Sequence, residues 1–218
     1  MSVENVLLLI KIVMVNMVLS GDNAVVIAMA SKNLPDKQRK QAVWWGAFGA
    51  VGLRVLLTGA AVLLLRIPLL QVIGSLLLMG IAIKLLLDEE AHGNIRSEST
   101  LMAAVWTIIT ADFVMSLDNV LAIAAIANGS WSLVVIGIMI SIPMIIWGSN
   151  IVMKLLNQYP VLIYLGSAIL GYTAGEMFLK DRAVEQWLHA VPSFIEWCFP
   201  LAAAAGVVAA GLWKKSRV

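Results

Sequence analysis

The chain has 218 residues, 61% of them hydrophobic and only 13% charged, with a formal net charge of +2. A soluble domain carries about 25% charged residues, so a soluble globular class is excluded, and so small a net charge gives no electrostatic footprint for nucleic acid. Cys198 stands alone, which excludes a disulfide framework and a thiolate metal site.

The apolar residues gather in seven blocks, approximately 5–30, 41–65, 67–87, 100–127, 132–153, 160–180 and 197–213. Each is close to the roughly 20 residues needed to cross a hydrocarbon core. The expected fold is therefore all-α: a polytopic protein of seven transmembrane helices forming one transmembrane domain over residues 1–218, with the lipid bilayer as its solvent. Block one starts without a basic n-region, unlike a removable signal peptide, and it contains Ser20-Gly21-Asp22-Asn23-Ala24-Val25-Val26-Ile27-Ala28. The connection after it holds Lys32, Lys37, Arg39 and Lys40. The positive-inside rule puts that connection in the cytoplasm. The amino terminus is then external and the carboxyl terminus, with Lys214, Lys215 and Arg217, internal. Of the basic residues in connections, only Arg66, Lys180 and Arg182 fall outside in this arrangement, and Lys11, Arg54 and Lys84 lie within blocks.

Trp44 and Trp45 open block two, Trp131 precedes block five, and Trp197 and Trp213 bracket block seven. Those are interface positions, which suit an amphipathic ring. Residues 88–99 form a polar linker between two halves, about 5–87 and 100–180. The segment 181–196 mixes apolar and polar side chains and is expected to lie on the outer membrane surface.

Block four contains Ser116-Leu117-Asp118-Asn119-Val120-Leu121-Ala122-Ile123-Ala124, a second copy of the block-one stretch at an offset of 96 residues (Asp22 to Asp118). Three crossings per half give the halves opposite orientations, so the expected architecture is a 3+3 inverted repeat plus one appended helix. Gly52 and Gly148 match at the same offset, which sets Arg54 opposite Asn150. In the third members, Ile73-Gly74-Ser75 resembles Leu165-Gly166-Ser167, aligning Lys84 with Glu176. Glycines 46, 49, 52, 74, 80, 166, 171 and 175 are expected at close helix contacts.

On a helix, positions i, i+4 and i+7 share a face. One such face holds Asn16, Ser20 and Asn23; the other holds Asp112, Ser116 and Asn119. Asp22 and Asp118 stand beside these faces. Gly21 weakens the first helix, and a break there would free carbonyls and let Asp22 and Asn23 point together; the sequence leaves that break open. Each central charge costs about 2.5–3.5 kcal/mol on insertion scales, so these side chains must converge on one another, on water or on an ion. A lone aspartate is often a helix-packing partner; a repeated one, accompanied by Asp112 and Glu176, is better explained as a site. The candidate metal ligands are Asp22, Asn23, Asp112, Asp118, Asn119 and Glu176, with Asn16, Ser20 and Ser116 as further polar ligands. Arg54 and Lys84 are counter-charges or coupling groups, and Lys11 is structural. These are hard oxygen donors, suited to Mg²⁺, Ca²⁺ or Mn²⁺. Zinc or copper would recruit His or Cys, and both histidines, His92 and His189, lie in connections.

The paired motifs SGDNAVVIA and SLDNVLAIA, the Ala111-Asp112 step, the basic loop after block one and the seven crossings resemble the TerC family of bacterial integral membrane proteins, grouped with the LysE-type exporters. The resemblance covers essentially the whole chain and is nearest to a shorter branch with members implicated in Mn²⁺ export. It implies a bacterial plasma-membrane location and a role for Asp22, Asn23, Asp118 and Asn119, with Asp112 less firmly; Asn16 stands where the second half has Asp112. The expected function is export of a divalent cation, Mn²⁺ favoured, through a mid-membrane carboxylate and amide site by alternating access. Neither a resident cofactor nor an enzymatic step is expected. Glu176 would ligate or relay a proton, and Lys84 would neutralise the site between ion loads. Three alternatives stand beside this. One is a metallation partner that delivers Mn²⁺ to secreted enzymes, alone, as a homo-oligomer or with another membrane protein. A second is an exporter of small solutes such as amino acids, for which the site lacks aromatic lining. The third, an intramembrane aspartyl protease, needs an asymmetric dyad, whereas these aspartates are repeat-related and both followed by Asn.

Overall fold

Backbone N–H and C=O groups in hydrocarbon must be satisfied within the chain, and long apolar runs without strand alternation do this as helices. A computed structural model describes residues 3–18, 21–64, 67, 69–90, 100–127, 131–181, 183–185 and 194–215. Within these helices the side chains of 3–5, 16–18, 61–64, 88–90, 118, 120–127, 141, 214 and 215 lie outside the description. Among the described residues there is no strand. The helices are α1 (Val3–Val18), α2 (Gly21–Ser31), α3 (Asp36–Leu64), α4 (Leu70–Glu90), α5 (Leu101–Ala127), α6 (Trp131–Gln158), α7 (Val161–Leu179) and α8 (Phe194–Lys215).

Every apolar block thus holds helix; in the first, helix is described on both sides of residues 19 and 20. Asp36–Ala60 of α3, Leu70–Leu87 of α4, α6, α7 and Phe194–Trp213 of α8 are long and apolar enough to span a membrane. The apolar stretches Val6–Val15 and Leu101–Leu117 are shorter within the described residues. Large apolar side chains face outward all along these helices, Leu56, Trp106, Trp147 and Val161 among them, an outer surface that suits lipid and not water. The chain is a multi-pass membrane protein. Trp44, Trp45, Trp131, Trp197 and Trp213 are each half or more exposed. Of the expected linker, 91–99 lies outside the described residues; so do 186–193 of the expected surface segment, whose residues 183–185 are helical.

Contacts gather the chain into two compact units, Met1–Arg66 with Leu101–Lys154, and Ile67–Thr100 with Leu155–Val218. Each unit draws on both halves of the sequence. In the first, α3 lies along α5, and α1 and α2 also meet α5. Gly46 and Gly49 permit the α3–α5 approach: a Cβ at Gly46 would fall 2.8 Å from Ile108 Cδ1, and one at Gly49 2.6 Å from Ile109 Cδ1. Ile12, Ala47, Val51, Leu133, Val134, Ile138 and Ile142 form a buried core shared by α1, α3 and α6.

In the second unit α4, α7 and α8 pack on one another. Pro160 presets the backbone at the start of α7 (φ −56°). A Cβ at Gly175 would meet the Pro200 Cα at 2.6 Å, and one at Gly171 the Ala204 Cα at 3.0 Å, so α7 and α8 touch backbone to backbone. The expectation of close contact fails at Gly52 and Gly80. Both lie on outward faces with nothing within 4 Å of the added carbon.

Candidate functional site

Among the described residues both copies of the repeated motif are helical: α5 runs through Ser116, Leu117, Asp118 and Asn119, and α2 carries Gly21, Asp22 and Asn23. Residues 19 and 20 lie outside the described residues, and with them the Ser20 ligand. The first turn of a helix has N–H groups without intrahelical acceptors. Here the Asn23 N–H donates to Asp22 Oδ1 at 3.0 Å, an arrangement the helix dipole favours for an acid at this end.

With its backbone held by Asp22, Asn23 is only 3% exposed. Its side-chain Nδ2 donates to Asp112 Oδ1 at 2.9 Å. The same oxygen forms an ion pair with Arg54 Nη2, while Arg54 Nε donates to Ser116 Oγ at 3.0 Å. The Ser116 hydroxyl donates to Asp112 Oδ2 at 3.2 Å. Asp112 and Ser116 stand one turn apart on α5, as the i, i+4 spacing requires. Thr58 Oγ1 donates to the Arg54 carbonyl at 2.7 Å and braces α3 beneath the arginine. Arg54 is 1% exposed, and Asp112 and Ser116 are buried with it.

The network closes a positive and a negative charge inside two apolar helices. Breaking such a pair from one side leaves a buried charge uncompensated, at a cost of about 3–5 kcal/mol. One atom is left over. Asn23 Oδ1 is buried and accepts no hydrogen bond. Asn23, Arg54 and Asp112 border a cavity of about 10 Å³ whose other walls are apolar, including Val26, Val51, Ile108 and Met115. That is the space of one water molecule at most.

Of the sequence-derived candidates, the fold therefore brings together Asp22, Asn23, Asp112, Ser116 and Arg54. Asp22 is partly buried and within electrostatic reach of Arg54 and Asp112. Asn119 is buried on α5, on the face of Asp112 and Ser116. The side chains of Asp118 and Asn16 lie outside the described residues. Glu176 and Lys84 belong to the second unit. Lys84 is exposed, and Glu176 Oε2 stands 4.0 Å from Lys180 Nζ. Arg54 meets Asp112 and Ser116, while Asn150, the residue aligned with it by the repeat offset, is exposed and donates to the Ile146 carbonyl at 2.9 Å. Lys11 is exposed on α1. Among the described residues no three His, Cys, Asp or Glu side chains form a group able to hold a metal ion; the site's donors are one or two carboxylates with amide and hydroxyl oxygens.

Thr58 and Asp181 are buried polar residues that the sequence did not single out. Asp181 lies in the second unit, and its carboxylate accepts the backbone N–H groups of Gln71 at 3.1 Å and Val72 at 3.3 Å. Neither carries a local signature, because each is defined by what the fold brings to it.

The integral membrane protein TerC family matches residues 1–218. The uncharacterized membrane protein YjbE of Bacillus subtilis (strain 168) is 45% identical over 205 residues, covering 94% of each chain. Uncharacterized membrane protein YceF of the same organism is 32% identical over 177 residues, 77% of this chain and 68% of its own. Uncharacterized membrane protein YkoY, also from that organism, is 26% identical over 200 residues, 79% of this chain and 61% of its own. No solved structure matches the chain.

Proposed function

Because this chain belongs to the integral membrane protein TerC family over its whole length, we propose that it is a transporter exporting a divalent metal cation, with Mn²⁺ favoured. The observation that carries this reading is the buried meeting of Asn23, from the first motif copy, with Asp112 and Ser116 around the second. Helices that only needed to pack would not place a carboxylate, an amide and a hydroxyl at one point inside apolar spans, at a cost of a few kcal/mol for the acid alone. All the donors are oxygens, the set that hard cations take. Asn23 Oδ1, buried and without a donor, is a ready further ligand. Asp22 lends a second negative charge. Asp118 and Asn119 keep their proposed roles as ligands.

The seven crossings, the 3+3 inverted repeat with one appended helix and the external amino terminus belong to the same proposal. In its support, each compact unit takes matched members from both halves of the sequence. A pocket of single-water size favours a bare ion over an organic solute, and ion passage calls for no covalent step.

The full chain reconstituted in liposomes without partners tests the reading. We expect Mn²⁺ flux in the wild type, falling about tenfold or more in Asp112→Asn and in Asn23→Ala if each removes about 1.4 kcal/mol of binding. No flux in the wild type, or unchanged flux in both variants, overturns it. Cells lacking the protein should accumulate Mn²⁺ in preference to Zn²⁺.

A further inference from the structure

We propose that Arg54 is a tethered cation: its guanidinium and the transported metal ion take turns on the Asp112 carboxylate, each excluding the other. The inference rests on the cation-transport reading and names how that site is regulated. Both oxygens of Asp112 are engaged, Oδ1 by Arg54 and Asn23 and Oδ2 by the Ser116 hydroxyl. Ser116 is itself tied to Arg54 Nε, so the guanidinium spans acid and hydroxyl together. A metal ion cannot reach this carboxylate while Arg54 keeps its place.

Adding a second cation beside the first is ruled out on two grounds. The adjoining cavity is about 10 Å³ and is bordered by Arg54 itself. Two positive charges that close, away from water, repel strongly. Arginine cannot yield by losing a proton, since its pKa lies above about 12. It yields only by moving, and its long side chain, based on α3 one turn before Thr58, makes that movement local. Exchange also means that Asp112 is never left bare among apolar side chains. Asn23 is set for the same exchange. It now offers Nδ2 to Asp112 and leaves Oδ1 unpartnered in the cavity wall, and turning the amide over would present that oxygen to an arriving cation.

A purely structural ion pair predicts the opposite response to its removal. Mn²⁺ binding to the purified full chain in detergent, read by electron paramagnetic resonance of the free ion, separates the two. If Arg54 holds the site about nine-tenths of the time, Arg54→Gln should bind Mn²⁺ about tenfold more tightly than the wild type. Millimolar guanidinium chloride should then compete with Mn²⁺ in Arg54→Gln and not in the wild type. Arg54→Lys, which keeps the charge but loses the fork, serves if the glutamine variant does not fold, and should bind more tightly than the wild type. Equal or weaker binding in these variants, with Asp112→Asn abolishing it, overturns the tethered role and leaves the cation site standing. Absence of Mn²⁺ binding in the wild type and every variant brings down the transport reading, and this inference with it.

Discussion

Asp181 shows what a buried acid does away from the motif. Its carboxylate takes the N–H groups of Gln71, Val72 and Ala183, the last at 2.9 Å, and so caps the start of α4 from a distant part of the chain. The residue before that helix, Leu69, has φ 62°, a left-handed conformation costing a non-glycine residue about 1–2 kcal/mol. Capping helps to hold it there. Asp181→Ala strands two or three N–H groups, and we expect a loss of about 1–3 kcal/mol, visible as a lower unfolding temperature in detergent, with transport per folded molecule unchanged. Asp112 and Asp22 could be found in the sequence because a carboxylate inside an apolar run is conspicuous. Asp181 sits at the end of such a run, where an acid is unremarkable. Arg54 was conspicuous too, but its partner was not: the repeat offset aligns it with Asn150 and says nothing of contact, and packing brings it to Asp112.

At the scale of helices, small residues decide how near the axes come. The glycine spacing was visible in the sequence, yet it gave no indication of which glycines face a neighbour. Gly175 faces the Pro200 backbone of α8 and Gly80 faces outward, although both stand in apolar helices of similar composition. Gly175→Ala must push one backbone off another, and we expect a destabilisation of about 1–3 kcal/mol. Gly80→Ala and Gly52→Ala should change stability by less than about 0.5 kcal/mol or raise it slightly. Thermal unfolding of the three variants side by side makes the comparison. Gly21 marked a weak point in block one, but residues 19 and 20 beside it lie outside the described residues. In the second copy Leu117 stands in place of the glycine and α5 continues through Asp118.

For the molecule as a whole, helix positions follow from hydropathy alone, because block length and apolar content are properties of the chain. The grouping of helices into units does not follow, since it depends on faces of similar hydrophobicity choosing among partners. Orientation is the remaining prediction at this scale. With Cys198 replaced by Ser, a single cysteine at Glu185→Cys should react with an impermeant maleimide on intact cells, and one at Gln38→Cys should react only after the cells are opened. The reverse pattern would invert the proposed topology.

The ion pair between Arg54 and Asp112 also has a history within each molecule's synthesis. Its partners are 58 residues apart in the chain. At about 5–20 residues per second, the ribosome delivers the acid roughly 3–12 s after the base. During that interval the nascent arginine is without Asp112 and has only the earlier-made Asp22 within electrostatic reach, so the ion pair is completed only after the fifth helix has been synthesised.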